Sequence, residues 1–243
     1  MKIHKKTATF LVLILTILFG LIFWINGLFY PGDQLARTNL NSTSEVTVTA
    51  TSNYYAFMPA NKKADSAFIL YPGALVNADA YAPLMMELSS KGIPSFIAKM
   101  PLNMAILKSN AAHQIMAHYP NIQNWYIGGH SLGGVMAANY ALNNPERFEG
   151  IAFLASYPNK DLSSHDFKVL SLYGSNDTVL NMASYEQSTS LLPDEAFTEI
   201  VIDGGNHAKF GNYGVQSGDS PATISAEEQQ RITVDAILKM IEN

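Results

Sequence analysis

The run Asn124-Trp125-Tyr126-Ile127-Gly128-Gly129-His130-Ser131-Leu132-Gly133-Gly134-Val135-Met136 changes character in mid-course. Its first part, Trp125-Tyr126-Ile127, is an aromatic and β-branched segment of the kind that fills a buried strand. From Ser131 to Leu142 small and apolar residues follow one another without a breaker beyond the opening glycines, and that part reads as a helix. Between them Gly129-His130-Ser131-Leu132-Gly133 matches G-x-S-x-G. Alone the motif is weak; between a strand and a helix it is the setting of a nucleophile elbow. The sharp turn holds its serine in a strained conformation, and the glycines remove side chains that would clash there. Ser131 is thereby set at a helix N-terminus, where the dipole and unpaired N–H groups favour developing negative charge. The bland alternative is a glycine-rich turn with an incidental serine. A pyrophosphate cradle is a poorer fit, because the apex of the turn is a serine.

A nucleophilic serine needs a base, and the base an orienting acid, in the chain order serine, acid, histidine. Two histidines follow Ser131. His165 lies in a polar connection ahead of a strand, on the wrong side of a sheet. His207 follows a strand and the flexible Asp203-Gly204-Gly205-Asn206, where a loop can carry an imidazole over the sheet's C-terminal edge. For the acid, Asp177 stands in Gly174-Ser175-Asn176-Asp177 at the end of the strand Lys168–Tyr173; Asp203 and Asp219 are the runners-up. Two backbone donors should complete the site. One is the N–H of Leu132. The other belongs to the loop after Ala67–Tyr71, where Tyr71-Pro72-Gly73-Ala74-Leu75 makes Ala74 the first choice and Leu75 the second.

Outward from this centre the chain alternates strands and helices. Val46–Thr49 and Tyr54–Phe57 read as a hairpin. Strands are expected at Ala67–Tyr71, Ser95–Lys99, Asn124–Ile127, Ile151–Ala155, Lys168–Tyr173 and Ala196–Ile202. Helices are expected at Ala80–Lys91 (capped by Asp79 and closed by Gly92), Ala105–His118, Ser131–Leu142, Tyr185–Leu192 and Ala226–Ile241. This order predicts an α/β fold: a mostly parallel central sheet with helices on both faces and the hairpin at one edge. The connection between Ala155 and Lys168 is too short for a cap domain. An open, shallow site should result, bordered by Tyr71, Met100, Phe210 and Tyr213, and suited to short-chain or polymer-borne esters.

The 243 residues carry a net charge of −5, with 14% charged and 48% hydrophobic side chains. Disorder is excluded by that composition, and the absence of a basic field argues against nucleic acid. There is no cysteine, which excludes disulfides, thiolate metal sites and a cysteine nucleophile. No metal-ligand motif or dinucleotide fingerprint is present, so neither a metal nor a cofactor is expected. Lys2, Lys5 and Lys6 precede a charge-free run from Thr7 to Tyr30, about 24 residues and roughly 36 Å as a helix, enough to span a bilayer. Trp24, Phe29 and Tyr30 stand at its distal end, and Pro31-Gly32-Asp33 stops it. An uncleaved signal anchor fits better than a cleaved signal, whose apolar region is shorter and ends in small residues. The lysines place the N-terminus in the cytoplasm and the rest outside. The expected division is therefore an anchor at 1–32, a polar linker at 33–44 and a catalytic domain at 45–243, secreted if the anchor is removed.

Six stretches now carry a resemblance: Tyr71–Tyr81, Lys99–Asn103, Gly128–Gly134, Leu154–Tyr157, Tyr173–Asp177 and Gly204–Gly214. Together they resemble the α/β-hydrolases, specifically the compact dienelactone-hydrolase-like (fold-5) group of bacterial exported or membrane-anchored proteins. The resemblance covers roughly residues 65–240 and implies a triad of Ser131, Asp177 and His207. Dienelactone hydrolases use cysteine where this chain has Ser131, so the resemblance implies hydrolase chemistry without naming a lactone substrate. The reading is a serine hydrolase acting on small-molecule or cell-envelope esters. An acyltransferase on the same triad and a non-catalytic surface binding module on the same scaffold are its rivals. A membrane-assembly subunit is a third, but Gly20 and Gly27 do not form a G-x-x-x-G face.

Overall fold

The computed structural model describes residues 27–60 and 65–243. Eight strands form one sheet: β1 (Val46–Ala50), β2 (Tyr54–Pro59), β3 (Ser66–Tyr71), β4 (Ser95–Ala98), β5 (Asn124–His130), β6 (Gly150–Leu154), β7 (Lys168–Gly174) and β8 (Phe197–Ile202). Their spatial order is β1-β2-β4-β3-β5-β6-β7-β8. The β1–β2 and β2–β4 pairs are antiparallel, and every pair from β4 to β8 is parallel. The hairpin thus lies at one edge, as its sequence suggests.

The central strands are apolar on both sides because both sides are covered. Along β3, Phe68 and Leu70 face one core while Ala67, Ile69 and Tyr71 face the other, the two-residue alternation of a pleated strand. One core is closed by α2 (Ala82–Ser90), through Leu84, Met85 and Leu88, and by α6 (Ala226–Glu242), through Val234 and Ile237. The opposite core is closed by α3 (Ala111–His118) and α4 (Leu132–Leu142). The remaining helices are α1 (Gln34–Thr38) and α5 (Met182–Ser188). Helix α6 starts where Ser225 Oγ accepts the N–H of Glu228 at 3.0 Å, with Glu227 and Glu228 in the first turn and Lys239 in the last, matching the helix dipole.

Three expectations change. The stretch near Ala80 opens as a 3-10 turn at Ala78–Tyr81 before α2, and Asp79 does not cap it; its carboxylate instead accepts the N–H of Gly32 at 3.1 Å. The segment from Ala105 is a 3-10 turn that breaks before α3. The largest correction concerns residues 33–44. Asp33 caps α1 through the N–H of Ala36 (2.8 Å), and its own N–H reaches the Asn212 carbonyl (2.8 Å). Tyr30 pairs with Val76 as an isolated parallel bridge, giving its N–H to Leu75 O and accepting from Asn77 N–H, each at 2.9 Å. The polar composition of this stretch serves caps and turns on the domain surface, so residues 30–44 belong to the domain and it does not start at Glu45.

The proposed membrane span falls mostly on residues 7–26, outside the described residues. Its last four residues, Gly27–Tyr30, are turn and bridge, not helix. Among the described residues no helix is long and apolar enough to cross a membrane.

Candidate active site

Strand β5 runs three residues past its expected end, to His130, and delivers Ser131 to the C-terminal edge of the sheet. Ser131 has φ 52° and ψ −126°, a backbone state costly for any residue with a Cβ. Two close approaches enforce the turn. A Cβ on Gly129 would lie 2.3 Å from the Gly133 carbonyl carbon, and one on Gly133 would lie 2.2 Å from the Tyr71 carbonyl oxygen. The Ser131 carbonyl accepts from Ser156 Oγ (2.7 Å) and from Gly134 N–H (3.0 Å), while its N–H bonds the Leu154 carbonyl (2.9 Å). Ser156 was not anticipated as a site residue. Leu154–Tyr157 belongs to the resemblance, and the strand end beside an elbow was its available signal.

His207 and Asp177 come together from loops 30 residues apart. His207 Nδ1 is 2.8 Å from Asp177 Oδ2, with both side chains buried. Asp177 Oδ1 accepts the N–H groups of Val179 and Leu180 at 2.8 Å each, so the carboxylate is fixed by its own loop. His207 Nε2 is buried and makes no hydrogen bond among the described residues. Ser131 and His207 line the same depression, of about 260 Å³. The other acids do different work. Asp203 is exposed. Asp219 accepts the Ala208 N–H at 2.9 Å and so shapes the loop behind His207. His165 is on the β6–β7 connection and stacks on Phe167.

The two backbone donors also separate. Leu75 N–H is engaged with the Asn103 carbonyl (2.9 Å) and Gly73 N–H with Tyr81 Oη (3.0 Å). Ala74 and Leu132 N–H make no hydrogen bond among the described residues. The register Tyr71↔Gly129 and the contact of Gly133 with Tyr71 and Pro72 put the Ala74 loop beside the elbow.

Four expected wall residues are elsewhere. Tyr71 is fully buried, its hydroxyl donating to Ser109 O (2.7 Å) and accepting from Ala112 N–H (2.8 Å) under α3. Met100 belongs to the same core, while Phe210 and Tyr213 fold back into the opposite one. A ring at a strand end or in a loop can face core or cleft, and here both cores extend to the sheet's edge. The depression is walled instead by Leu132, Val135, Tyr157, Val179 and Leu180, with Ser156 and Asn181 as polar exceptions. No acidic or basic side chain other than His207 lines it, which suits a neutral acyl group.

A supporting layer lies behind the pair, and only the place of His130 beside the site was readable from the elbow. His130, the variable position of the elbow, is buried with its ring centroid 4.6 Å from that of His207. Tyr81 Oη accepts from Gly73 N–H and shares a 2.8 Å hydrogen bond with His130 Nδ1. Burial, and next the neighbouring His207 charge, hold the His130 pKa well below the ordinary imidazole value, with a partial offset from the His207 backbone. From α6, Gln229 brackets the residue before the histidine: its Oε1 accepts Asn206 N–H (3.0 Å) and its Nε2 donates to Asn206 O (2.8 Å).

Residues 67–231 match the alpha/beta hydrolase family, and the chain belongs to it: it is a hydrolase of the α/β fold. No protein of curated function matches the sequence. Solved structures share the fold at low identity. A predicted CIB-like hydrolase from Thermoplasma acidophilum is 16% identical, with a TM-score of 0.59 over 80% of this chain and 99% of its own. The naproxen esterase (carboxylesterase NP) of Bacillus subtilis is 14% identical, with a TM-score of 0.60 over 86% and 95%. A membrane phospholipase A described as a bacterial virulence factor is 12% identical, with a TM-score of 0.62 over 98% and 100%.

Proposed function

We propose that this chain hydrolyses carboxylic esters through an acyl-enzyme on Ser131, with His207 as base and Asp177 orienting it. The observation that carries the reading is the 2.8 Å His207–Asp177 bond beside a strained Ser131 on one shared depression. Rotation of the Ser131 side chain brings Oγ to His207 Nε2, the one ring nitrogen left without a partner. Oγ attacks the acyl carbonyl and its proton passes to Nε2. The N–H groups of Leu132 and Ala74 stabilise the resulting oxyanion. Collapse expels the alcohol, which takes the proton from His207. A water then gives a proton to His207, attacks the acyl-enzyme, and releases the acid and free Ser131. Asp177 keeps the proton of neutral His207 on Nδ1 and stabilises the imidazolium. Esterase and phospholipase activities named for proteins of this fold agree with an ester substrate.

The same proposal places the enzyme at the cell membrane, anchored by the charge-free run within residues 7–26, with the catalytic domain outside the cytoplasm. Fluorophosphonate labelling of the full chain tests the catalytic part. Labelling should occur in folded protein and vanish in Ser131→Ala, in His207→Ala and after heating. An unlabelled folded protein would overturn it.

A further inference from the structure

The apolar side chains that the fold leaves in solvent are not scattered. Leu102 is 68% exposed, Ile106 58%, Leu107 56%, Val215 88% and Leu28 40%. Only Leu35 and Val201 otherwise join them among the large apolar residues described. The first three follow β4, Val215 follows His207, and Leu28 precedes Tyr30. All five therefore emerge around the C-terminal edge of the parallel strands, the edge that carries Ser131 and His207.

Hydrogen bonds tie these pieces to one another. Tyr30 N–H bonds Leu75 O, and Leu75 N–H bonds the carbonyl of Asn103, next to Leu102. Asn103 Nδ2 also donates to Asn77 Oδ1 at 2.6 Å. On the other side the Tyr30 ring packs on Tyr213 with centroids 5.6 Å apart, and its hydroxyl accepts Ser217 N–H at 3.3 Å, flanking Val215. Leu75 itself is next to Ala74, the proposed oxyanion donor. Met100–Leu107 and Phe210–Gly218 carry no charge, and Lys99 and Lys108 bracket the first of them. Both lysines are held by the domain itself, donating to Thr51 O and Asn53 Oδ1, so it is the uncharged, apolar character of these loops that suits them to the boundary between headgroups and acyl chains.

What identifies the occupant is the chain before Tyr30. Residues 7–26 are uncharged and of membrane-spanning length, and four residues from Asn26 to Tyr30 reach at most about 14 Å. An anchor placed there enters the domain at the rim of its own site. We infer that the active-site edge docks on the lipid bilayer, with Leu28, Leu102, Ile106, Leu107 and Val215 in the interface, and that the ester hydrolysed is borne by that bilayer. This rests on the catalytic reading above and adds the substrate's location. It also replaces the expectation of polymer-borne esters. A depression of about 260 Å³ then serves the reacting end of a substrate whose remaining chain stays in lipid.

The absence of cysteine makes the test direct. The full chain is reconstituted in vesicles of phosphatidylcholine and phosphatidylglycerol after single substitutions Leu107→Cys, Val215→Cys and, at the opposite sheet edge, Glu149→Cys, each labelled with a polarity-sensitive dye. Expected are blue-shifted emission and quenching by spin-labelled lipid at 107 and 215, with water-like emission at 149. Water-like emission at all three overturns the inference. So does a blue shift without lipid quenching, which would point to a second copy or another protein as the cover. In parallel, the exposed double variant Leu107→Gln/Val215→Ser should hydrolyse a vesicle-borne acyl ester about a hundredfold more slowly, the change expected from removing two inserted apolar side chains' worth of binding. Its rate on a short water-soluble ester should not change. Equal rates of variant and parent on the vesicle-borne ester would also overturn the docking, while failure of the parent on both esters would instead overturn the catalytic reading.

Discussion

Ser131 occupies a backbone state that only glycine adopts without strain, and chemistry is the reason to keep a side chain there. Ser131→Gly should abolish fluorophosphonate labelling yet raise stability by about 1 kcal/mol, a Tm increase of roughly 2–4 °C for a domain of this size. Calorimetry beside the labelling gel would check both. Asp177→Asn should leave the fold intact but lower kcat by roughly 10³–10⁴-fold, because the amide favours the wrong imidazole tautomer. At His130 the expected signature is in stability. Its folded pKa is depressed, so acid protonates the unfolded chain first. Its contribution is present above the unfolded value near pH 6.5 and is lost as pH falls below it, at up to about 1.4 kcal/mol per pH unit. Urea unfolding at successive pH values should therefore show a shallower acid decline in His130→Gln than in the parent. Ser131, His207 and Asp177 could each be read from chain order and loop position. His130 could not be assigned a role, because nothing in the sequence says that Tyr81 closes on it from a segment 49 residues earlier.

Helix α6 shows how an element's pattern can state its position without its purpose. Its apolar spacing was legible and serves the packing against the sheet. Gln229 and Gln230, polar in type, were not legible as buried. They are buried because the loop carrying His207 brings unpaired backbone groups against them. Gln229→Met should strand Asn206 N–H and O, lowering stability by about 2–4 kcal/mol and depressing kcat more than KM as His207 loses its fixed position. Urea denaturation and steady-state kinetics of the one variant separate these effects. Strand β5 and α4 were readable as a unit because their glycines have steric duties there. The walls of the cleft were not, since Tyr71 and Phe210 are the same residue types whether they line a cavity or fill a core.

Across the whole molecule, the alternation of strands and helices specified sheet, edge hairpin and crossovers, whereas the membership of residues 30–44 in the domain was hidden. Thr38, Asn39 and Asn41 look like tether composition, yet each donates from its side chain to a nearby carbonyl, and Asp33 and Tyr30 join the segment to the sheet's edge. A chain starting at Asn41 should consequently be about 3 kcal/mol less stable than one starting at Gly27, for the loss of several net hydrogen bonds and the Tyr30–Tyr213 contact. Thermal unfolding of the two would register that as a gap of roughly 6–12 °C. The β6–β7 connection, Ala155–Phe167, carries no helix. Among the described residues no flap covers Ser131, so contact with an aggregate has nothing there to pry open. Turnover of an amphiphilic ester should therefore reach steady state without a lag once micelles form, any rise in rate at that concentration coming from docking of the apolar rim alone.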